Sequence, residues 1–261
     1  MVDFRIRLAG RIIAVSALFD STLDFCGKYI GGGDPDCSVA VTTEELVLER
    51  EISAREDIRM GLEIRNHSDA YLEIIALLRK VSEKLIEYDT LFFHGSVVAV
   101  DGAAYLFTAP SGTGKSTHTR LWREMLGDRA VMVNDDKPFL RITDNGVLAC
   151  GSPWNGKHRL DTNISVPLKA ICILERGTEN TIRQIPAQEA LVTLFQQSCR
   201  PRDPRQIPRY MELLDRLSQN VSFYRMHCNM TPEAAETAYA AMALSDGWKV
   251  LESSAEQTKE P

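Results

Sequence analysis

Ala109-Pro110-Ser111-Gly112-Thr113-Gly114-Lys115-Ser116 is the stretch that decides the fold of this chain. It matches the phosphate-loop pattern G-x-x-x-x-G-K-[ST] except at the first position, where Ala109 replaces glycine. The apolar residues 103–108 before it predict a buried strand, and the residues after it predict a helix that Gly127 ends. A plain turn between strand and helix is the alternative, but a lysine and a hydroxyl follow the glycines in the required order.

The predicted loop suits a nucleoside triphosphate. Curled backbone amides and the start of a helix both attract phosphate, while Lys115 reaches the outer phosphates and the Ser116 hydroxyl ligates Mg²⁺. The sequence therefore predicts ATP and Mg²⁺ as cofactors. The residues expected to bind the nucleotide are Ser111, Gly112, Thr113, Gly114, Lys115, Ser116 and Thr117.

A pair of acids forms the second chemical element. Asn134-Asp135-Asp136-Lys137 directly follows an apolar strand predicted at residues 130–133. Acids in this place are typical of the Walker B position, which holds Mg²⁺. Of two adjacent carboxylates, one can organise the metal while the other takes the proton from an attacking hydroxyl. The alternative is a solvated aspartate-rich turn before Pro138.

Composition limits the classes of function. The chain has 261 residues, a net charge of −6, 44% hydrophobic residues and 25% charged residues, as in ordinary globular proteins. It has no dense lysine or arginine run, so we expect no nucleic-acid partner. Its six cysteines are scattered without a C-x-x-C pair, which disfavours a disulfide framework and a zinc site. Since no apolar run reaches membrane-spanning length, we expect no membrane partner and a cytoplasmic location.

Patterning divides the chain into three parts. Residues 1–89 predict a small α+β region, with two strands in residues 4–18, a loop at 31–36, and a helix at 69–88. Residues 38–59 fit either strand or helix. Residues 90–250 predict the catalytic domain and residues 251–261 a disordered tail.

The pattern from residue 91 onward alternates strands and helices. We predict one strand at 91–100, a hairpin turn at Asp101-Gly102, and a second hairpin around Asp144-Asn145-Gly146. Further strands are expected at 168–175, 181–185 and 221–226, and helices at 187–197 and 210–217, with a loop at 200–208 between the helices. Thr231-Pro232-Glu233 begins the last helix. The predicted fold class is α/β, with a P-loop and a mixed sheet core.

Three motifs in order resemble the catalytic domain of HPr kinase/phosphorylase, which has the phosphoenolpyruvate-carboxykinase-like P-loop fold. They are Phe93-His94-Gly95-Ser96-Val97-Val98, Ser111-Gly112-Thr113-Gly114-Lys115-Ser116 and Val131-Met132-Val133-Asn134-Asp135-Asp136. The resemblance covers residues 91–136. It implies that Asp135 is the catalytic base, that Asp136 and Ser116 ligate the metal, and that His94 lies near the transferred phosphoryl group. The two acids can exchange roles, so Asp135 is also a candidate metal ligand. A homo-oligomer is a further implication.

The chain departs from that family after residue 150. The family's arginine-glycine signature is absent, and residues 151–159 form a polar loop that offers Lys157 and Arg159 as catalytic cations. Both are also explained as surface charges. Trp154 either lines the pocket or packs in the core. Residues before 91 do not resemble the family's regulatory domain, so recognition of HPr is not implied.

These features favour a kinase that transfers the γ-phosphoryl group of ATP to a hydroxyl, either of a small metabolite or of a serine in a protein or peptide. The alternative is a P-loop ATPase that acts as a nucleotide-dependent switch, for which Asn134 is the candidate to position water. A carboxykinase is a third possibility, but the chain is shorter than we expect for that enzyme. A binding module without catalysis has no need of paired acids.

Overall fold

The computed structural model describes residues 1–244, so the tail predicted at 251–261 lies outside the described residues. The N-terminal part contains three strands and three helices. These are β1 (Val2–Leu8), β2 (Arg11–Ala17), α1 (Asp20–Phe25), β3 (Cys37–Ala40), α2 (Thr43–Arg59) and α3 (Asp69–Leu85). The ambiguous segment 38–59 thus contains most of a short strand and then a helix.

The three N-terminal strands form a small sheet in the order β1-β2-β3. The turn between β1 and β2 has positive φ angles at Ala9 and Gly10, as a tight hairpin requires. α3 packs on this sheet through a buried stripe that includes Leu72, Leu77 and Val81. The same hydrophobic cluster extends to Phe139 and Cys150 of the following sheet and to Trp154 in the loop after Cys150. The predicted division at residue 89 remains a prediction.

The second part holds a larger sheet and four helices. Its elements are β4 (Thr90–Phe92), β5 (Ser96–Val100), β6 (Ala103–Thr108), α4 (Lys115–Leu126), β7 (Ala130–Asn134), β8 (Phe139–Thr143), β9 (Gly146–Cys150), β10 (Ser165–Arg176), β11 (Thr181–Ile185), α5 (Ala187–Gln197), α6 (Ile207–Asn220), β12 (Ser222–Cys228) and α7 (Pro232–Met242). The order is β4-β8-β9-β10-β6-β5-β7, with β12 also on β10 and β11 on β12. Parallel and antiparallel pairs occur together, which confirms the mixed α/β class.

The sheet core is buried on both faces, which explains why β6 is apolar throughout. Ala104 and Leu106 lie in the cluster that includes residues of α5 and α6, while Tyr105 and Phe107 lie in the cluster of α4 and α7. The glycine loop, residues 109–114, connects the end of β6 to α4. Leu121, Trp122, Met125 and Leu126 share one face of α4 by their spacing. Leu121 and Trp122 are buried, whereas Met125 is exposed.

The single strand predicted at 91–100 is wrong, because residues 93–95 interrupt it. The backbone N–H groups there donate to distant carbonyls: Phe93 to Pro138, His94 to Gln197 and Gly95 to Asp136. β4 therefore pairs with β8, whereas β5 pairs with β6 and β7. A side chain at Gly95 would come within 2.9 Å of Leu106, so the chain passes close to β6 there.

Within residues 1–244, no helix is both long enough and apolar enough to cross a membrane. All six cysteines carry free thiols. Cys26, Cys150 and Cys172 are buried, and burial raises the pKa of each thiol above its ordinary value. These three cysteines are therefore packing residues rather than reactive groups.

Candidate functional site

A cleft of about 840 Å³ opens at the end of β6, between the start of α4, the end of β7 and the loop after β9. It brings together most of the side chains that the sequence singled out. Its lining residues are His94, Ser111, Gly112, Gly114, Lys115, Ser116, Thr117, Thr119, Arg120, Arg123, Asp135, Asp136, Gly156, Lys157, His158 and Leu160. Two predicted residues, Thr113 and Arg159, are not in this lining.

The glycine loop needs glycine at two positions. Gly112 and Gly114 have φ angles of +77° and +123°, a region that other residues enter only at a cost. Ala109 has no positive φ and is fully buried in the cluster beneath α4. Its methyl group therefore fits, and the departure from the motif at the first position leaves the loop geometry intact.

Lys115 is turned into the loop that precedes it. Its ammonium donates a hydrogen bond to the carbonyl of Ala109 over 2.9 Å. Burial lowers the pKa of Lys115, while the charge of Asp136 opposes that shift. On the far side of the loop, Arg176 at the end of β10 donates to the carbonyl of Gly112 over 2.6 Å. The loop is thus held from both flanks.

Asn134, the last residue of β7, is fully buried and has partners on both ends of its amide. Its oxygen accepts the backbone N–H groups of Asp136 (2.8 Å) and Lys137 (2.6 Å). Its nitrogen donates to the carbonyl of Ser152 over 2.9 Å. The side chain therefore shapes the turn that carries the two acids.

Asp135 is a buried carboxylate, and one of its oxygens has no hydrogen-bond partner within residues 1–244. Oδ1 accepts the N–H of Gly156 over 2.5 Å, whereas Oδ2 has no hydrogen-bond partner in the protein. Burial raises the pKa of Asp135, and backbone hydrogen bonds from Gly156 and Leu160 oppose this rise. The cleft therefore contains a carboxylate whose basicity is increased.

Asp136 has the opposite environment. Its Oδ1 lies 3.2 Å from His94 Nε2, and Oδ2 pairs with Lys137. Burial acts against ionisation here, but the hydrogen bond from His94 and the charge of Lys137 outweigh it and hold the pKa at about 2. Asp136 is therefore ionised at neutral pH.

His94 bridges Asp136 and α5. Its Nδ1 lies 2.8 Å from Oε1 of Gln197, the last residue of α5, and its backbone N–H donates to the carbonyl of the same residue. With both ring nitrogens held, the imidazole edge is fixed at the rim of the cleft. Gln197 is a site neighbour that the sequence analysis missed, since nothing local links residues 94 and 197.

The loop after β9 divides between two clefts. Lys157 lines the main cleft and is exposed, whereas Arg159 lines a second cleft of about 530 Å³ on the other side of the loop. The positive φ of Arg159, 51°, reflects the turn of the backbone at this point. Of the two cations offered by this loop, the main cleft is therefore lined by Lys157 and not by Arg159. Trp154 is buried and donates from Nε1 to the carbonyl of Ile74, so it packs rather than lining the main cleft.

Several lining residues escaped the sequence analysis. Arg120 and Arg123 follow Ser116 at helical spacings of four and seven, so they share its face of α4, and this spacing is a signal that was available. His158 and Gly156 came with no such signal. Among residues 1–244 there is no cluster of three or more His, Cys, Asp or Glu side chains suited to a metal.

The chain was compared with protein families, curated proteins and solved structures. Among solved structures, the HPr(Ser) kinase/phosphatase from Coxiella burnetii is similar, with 14% identity and a TM-score of 0.36, covering 59% of this chain and 96% of that chain. No curated protein matches the chain. The family that matches is not that of HPr kinase; it is described as SynChlorMet cassette protein ScmC, and its match spans residues 62–233. This match covers more than half of the sequence, and the chain therefore belongs to the ScmC family.

Proposed function

We propose that this protein is an ATP- and Mg²⁺-dependent kinase that transfers the γ-phosphoryl group to a hydroxyl, of a small metabolite or of a serine in a protein or peptide. One observation carries the proposal. Asp135, whose buried Oδ2 has no hydrogen-bond partner among the described residues, lines the same cleft as the glycine loop and Lys115. An acceptor hydroxyl needs a base next to the phosphoryl group, and this carboxylate supplies one.

The two acids have environments that suit different roles. Asp135 is the proposed base, because its pKa is raised and its Oδ2 has no hydrogen-bond partner. Asp136 is ionised and anchored by His94 and Lys137, so it is the proposed metal ligand. As the acceptor oxygen attacks the γ-phosphorus, its proton would pass to Oδ2 of Asp135. The bond between the γ-phosphorus and the bridging oxygen would break, and ADP would leave with that electron pair.

The residues present fit Mg²⁺. This ion usually takes one or two protein carboxylates and completes its shell with phosphate oxygens and water, so a cluster of three acids is not required. Asp136 and the Ser116 hydroxyl, with Asp135 as the alternative ligand, would hold it. Bound there, it would neutralise charge on the β- and γ-phosphates.

The phosphate chain is proposed to lie along the glycine loop, with Ser111 to Thr117 as its cradle. Lys115 would release the Ala109 carbonyl and turn to the outer phosphates. Lys157, which faces the same cleft from the opposite wall, is the proposed cation for charge that develops on the transferred group. His94 at the rim would orient Asp136.

A switch ATPase is less well supported, because it requires a side chain that positions the attacking water. Asn134 was the candidate for this role, and its amide oxygen and nitrogen are both engaged inside the protein. The amide has no free group to offer a water molecule. Hydrolysis without an acceptor is therefore expected to be slow compared with transfer.

The experiment supplies γ-labelled ATP and Mg²⁺ together with a metabolite extract or, separately, a peptide pool. Label in one of these pools would identify the acceptor class. Asp135→Asn is expected to bind ATP within about twofold of the wild type and to lose at least 100-fold in transfer, a magnitude typical of removing a general base. Asp144→Asn, the same change in the exposed turn between β8 and β9, is the matched control.

Two results would contradict the proposal. Label that appears only as free phosphate, at a rate unaffected by either pool, would favour the ATPase. Undiminished transfer by Asp135→Asn would remove the base assignment. Calorimetry with ATP and Mg²⁺ completes the test, since Lys115→Ala is expected to weaken binding at least tenfold.

A further inference from the structure

The loop that covers Asp135 is closed upon itself at its base. Asn155 Nδ2 donates to Asp161 Oδ1 over 2.5 Å, and the N–H of Arg159 donates to the carbonyl of Gly156 over 3.0 Å. A β-bridge joins Asp161 to Asn134 at the end of β7. Residues 155–161 therefore form a compact turn whose two ends meet at the Asp161 carboxylate.

This carboxylate is held by the N-terminal part of the chain. Lys28 Nζ lies 3.1 Å from Oδ1 of Asp161 and 3.3 Å from its carbonyl oxygen, and the Tyr29 hydroxyl donates to Oδ2 over 3.1 Å. The side chain of Asp161 is only 1% exposed. We call Lys28, Tyr29 and Asp161 the clamp. It joins residues more than 130 positions apart in the sequence.

The same turn covers the carboxylate of Asp135 and lies close to both of its oxygens. The Gly156 N–H binds Oδ1, and a Cβ added at Gly156 would lie 3.1 Å from Oδ2, so the backbone rests directly on the carboxylate. Leu160 also lines the cleft, and its backbone amide lowers the pKa of Asp135. Because the turn rests on the carboxylate, a shift of the turn by about an ångström would change the orientation of Asp135.

We propose that Asp161 is a positioning residue, through which Lys28 and Tyr29 hold the 155–161 turn against Asp135 and fix the orientation of its carboxylate. The inference rests on the proposed function, since it assigns no new reaction. Through the clamp, the N-terminal part of the chain would help to position a residue of the active site. Lys28 and Tyr29 precede the segment 62–233 that matches the ScmC family, so this support comes from a part of the chain outside that match.

The experiment compares Asp161→Asn and Tyr29→Phe with the wild-type protein. Both are expected to lower kcat of transfer, by about tenfold for Asp161→Asn and about threefold for Tyr29→Phe, since small misplacements of a reacting group are costly. ATP affinity and melting temperature are expected to stay within twofold and within about 3 °C of the wild type. Hydrogen exchange of the Gly156 and Leu160 amides should accelerate at least tenfold in Asp161→Asn.

Asp24→Asn is the control, because Asp24 is an exposed aspartate at the second cleft and the clamp does not include it. The outcomes separate the two proposals. Absence of transfer by the wild-type protein would overturn the proposed function, and the exchange rates would still report on the clamp. Wild-type transfer together with unchanged kcat and unchanged exchange in Asp161→Asn would overturn the clamp alone. Equal losses in kcat, ATP binding and melting temperature would also overturn it, because they indicate a merely structural role.

Discussion

Acidification should destabilise this protein through one buried imidazole, that of His118 in the second turn of α4. The ring is 2% exposed and lies 4.5 Å from the ring of Phe107. Its Nε2 accepts a hydrogen bond from Trp122 Nε1 over 3.2 Å, and its Nδ1 has no partner. Protonation would place a hydrogen on Nε2 against the indole N–H. Burial accordingly lowers the pKa of His118 to about 4.

The size of the effect follows from linkage. An unfolded histidine titrates near pH 6.5, so it binds a proton well before His118 does so in the folded chain. Since the unfolded state then holds more protons, stability is complete above about pH 6.5 and falls as the pH decreases toward 4. A difference of about 2.5 pKa units at about 1.4 kcal/mol each gives a loss of about 3 kcal/mol at pH 4.

The assay measures the free energy of unfolding in urea at pH 7 and at pH 4.5, for the wild type and for His118→Gln. Glutamine offers an amide oxygen to Trp122 and does not titrate. Carboxylates also titrate in this range, so the informative quantity is the difference between the two proteins. We expect the variant to lose at least 2 kcal/mol less than the wild type over this interval. Parallel losses in both proteins would refute the reasoning.

Three further changes probe the loop, an ion-pair network and the core. Gly114→Ala forces a side chain into a φ of +123° and is expected to weaken ATP binding at least tenfold by calorimetry, with melting lowered by a few degrees. Arg79→Leu leaves the buried carboxylate of Glu49 without its partner and should cost about 3 kcal/mol of unfolding free energy in urea. Leu77→Ala, at a fully buried position of α3, should cost about 2–5 kcal/mol, while ATP binding measured by calorimetry stays unchanged.

Local patterns predicted the parts of the site that are made locally. The glycine loop joins β6 to α4 as expected, because strand, glycines and helix start are adjacent in the sequence and their backbone needs are short-ranged. The hairpin turns at Asp101-Gly102 and before Gly146 were predicted for the same reason. In each case the signal is either a residue that tolerates a positive φ or a periodic apolar pattern. Both signals are contained in a few consecutive residues.

The features that the sequence did not predict depend on contacts that no local pattern carries. The break at residues 93–95 follows from hydrogen bonds to carbonyls about 40 and 100 positions away, while the residues themselves look like one apolar strand. Lys157 and Arg159 stand two positions apart, which would place them on one side of an extended chain. A left-handed residue at Arg159 breaks that periodicity and sends the two cations to separate clefts.

Asp135 and Asp136 show how two identical neighbouring side chains acquire different chemistry. The sequence left their roles exchangeable, since both end the same strand and carry the same carboxyl group. In the folded chain, the carboxylate of Asp136 pairs with the ammonium group of Lys137 and contacts the ring of His94, so it stays ionised. In the described part of the chain, Asp135 has no charged partner: its Oδ1 accepts the backbone N–H of Gly156, and its buried Oδ2 has no hydrogen-bond partner. A movement of that turn would therefore act directly on the carboxyl group with the raised pKa, because the Gly156 N–H donates to its Oδ1.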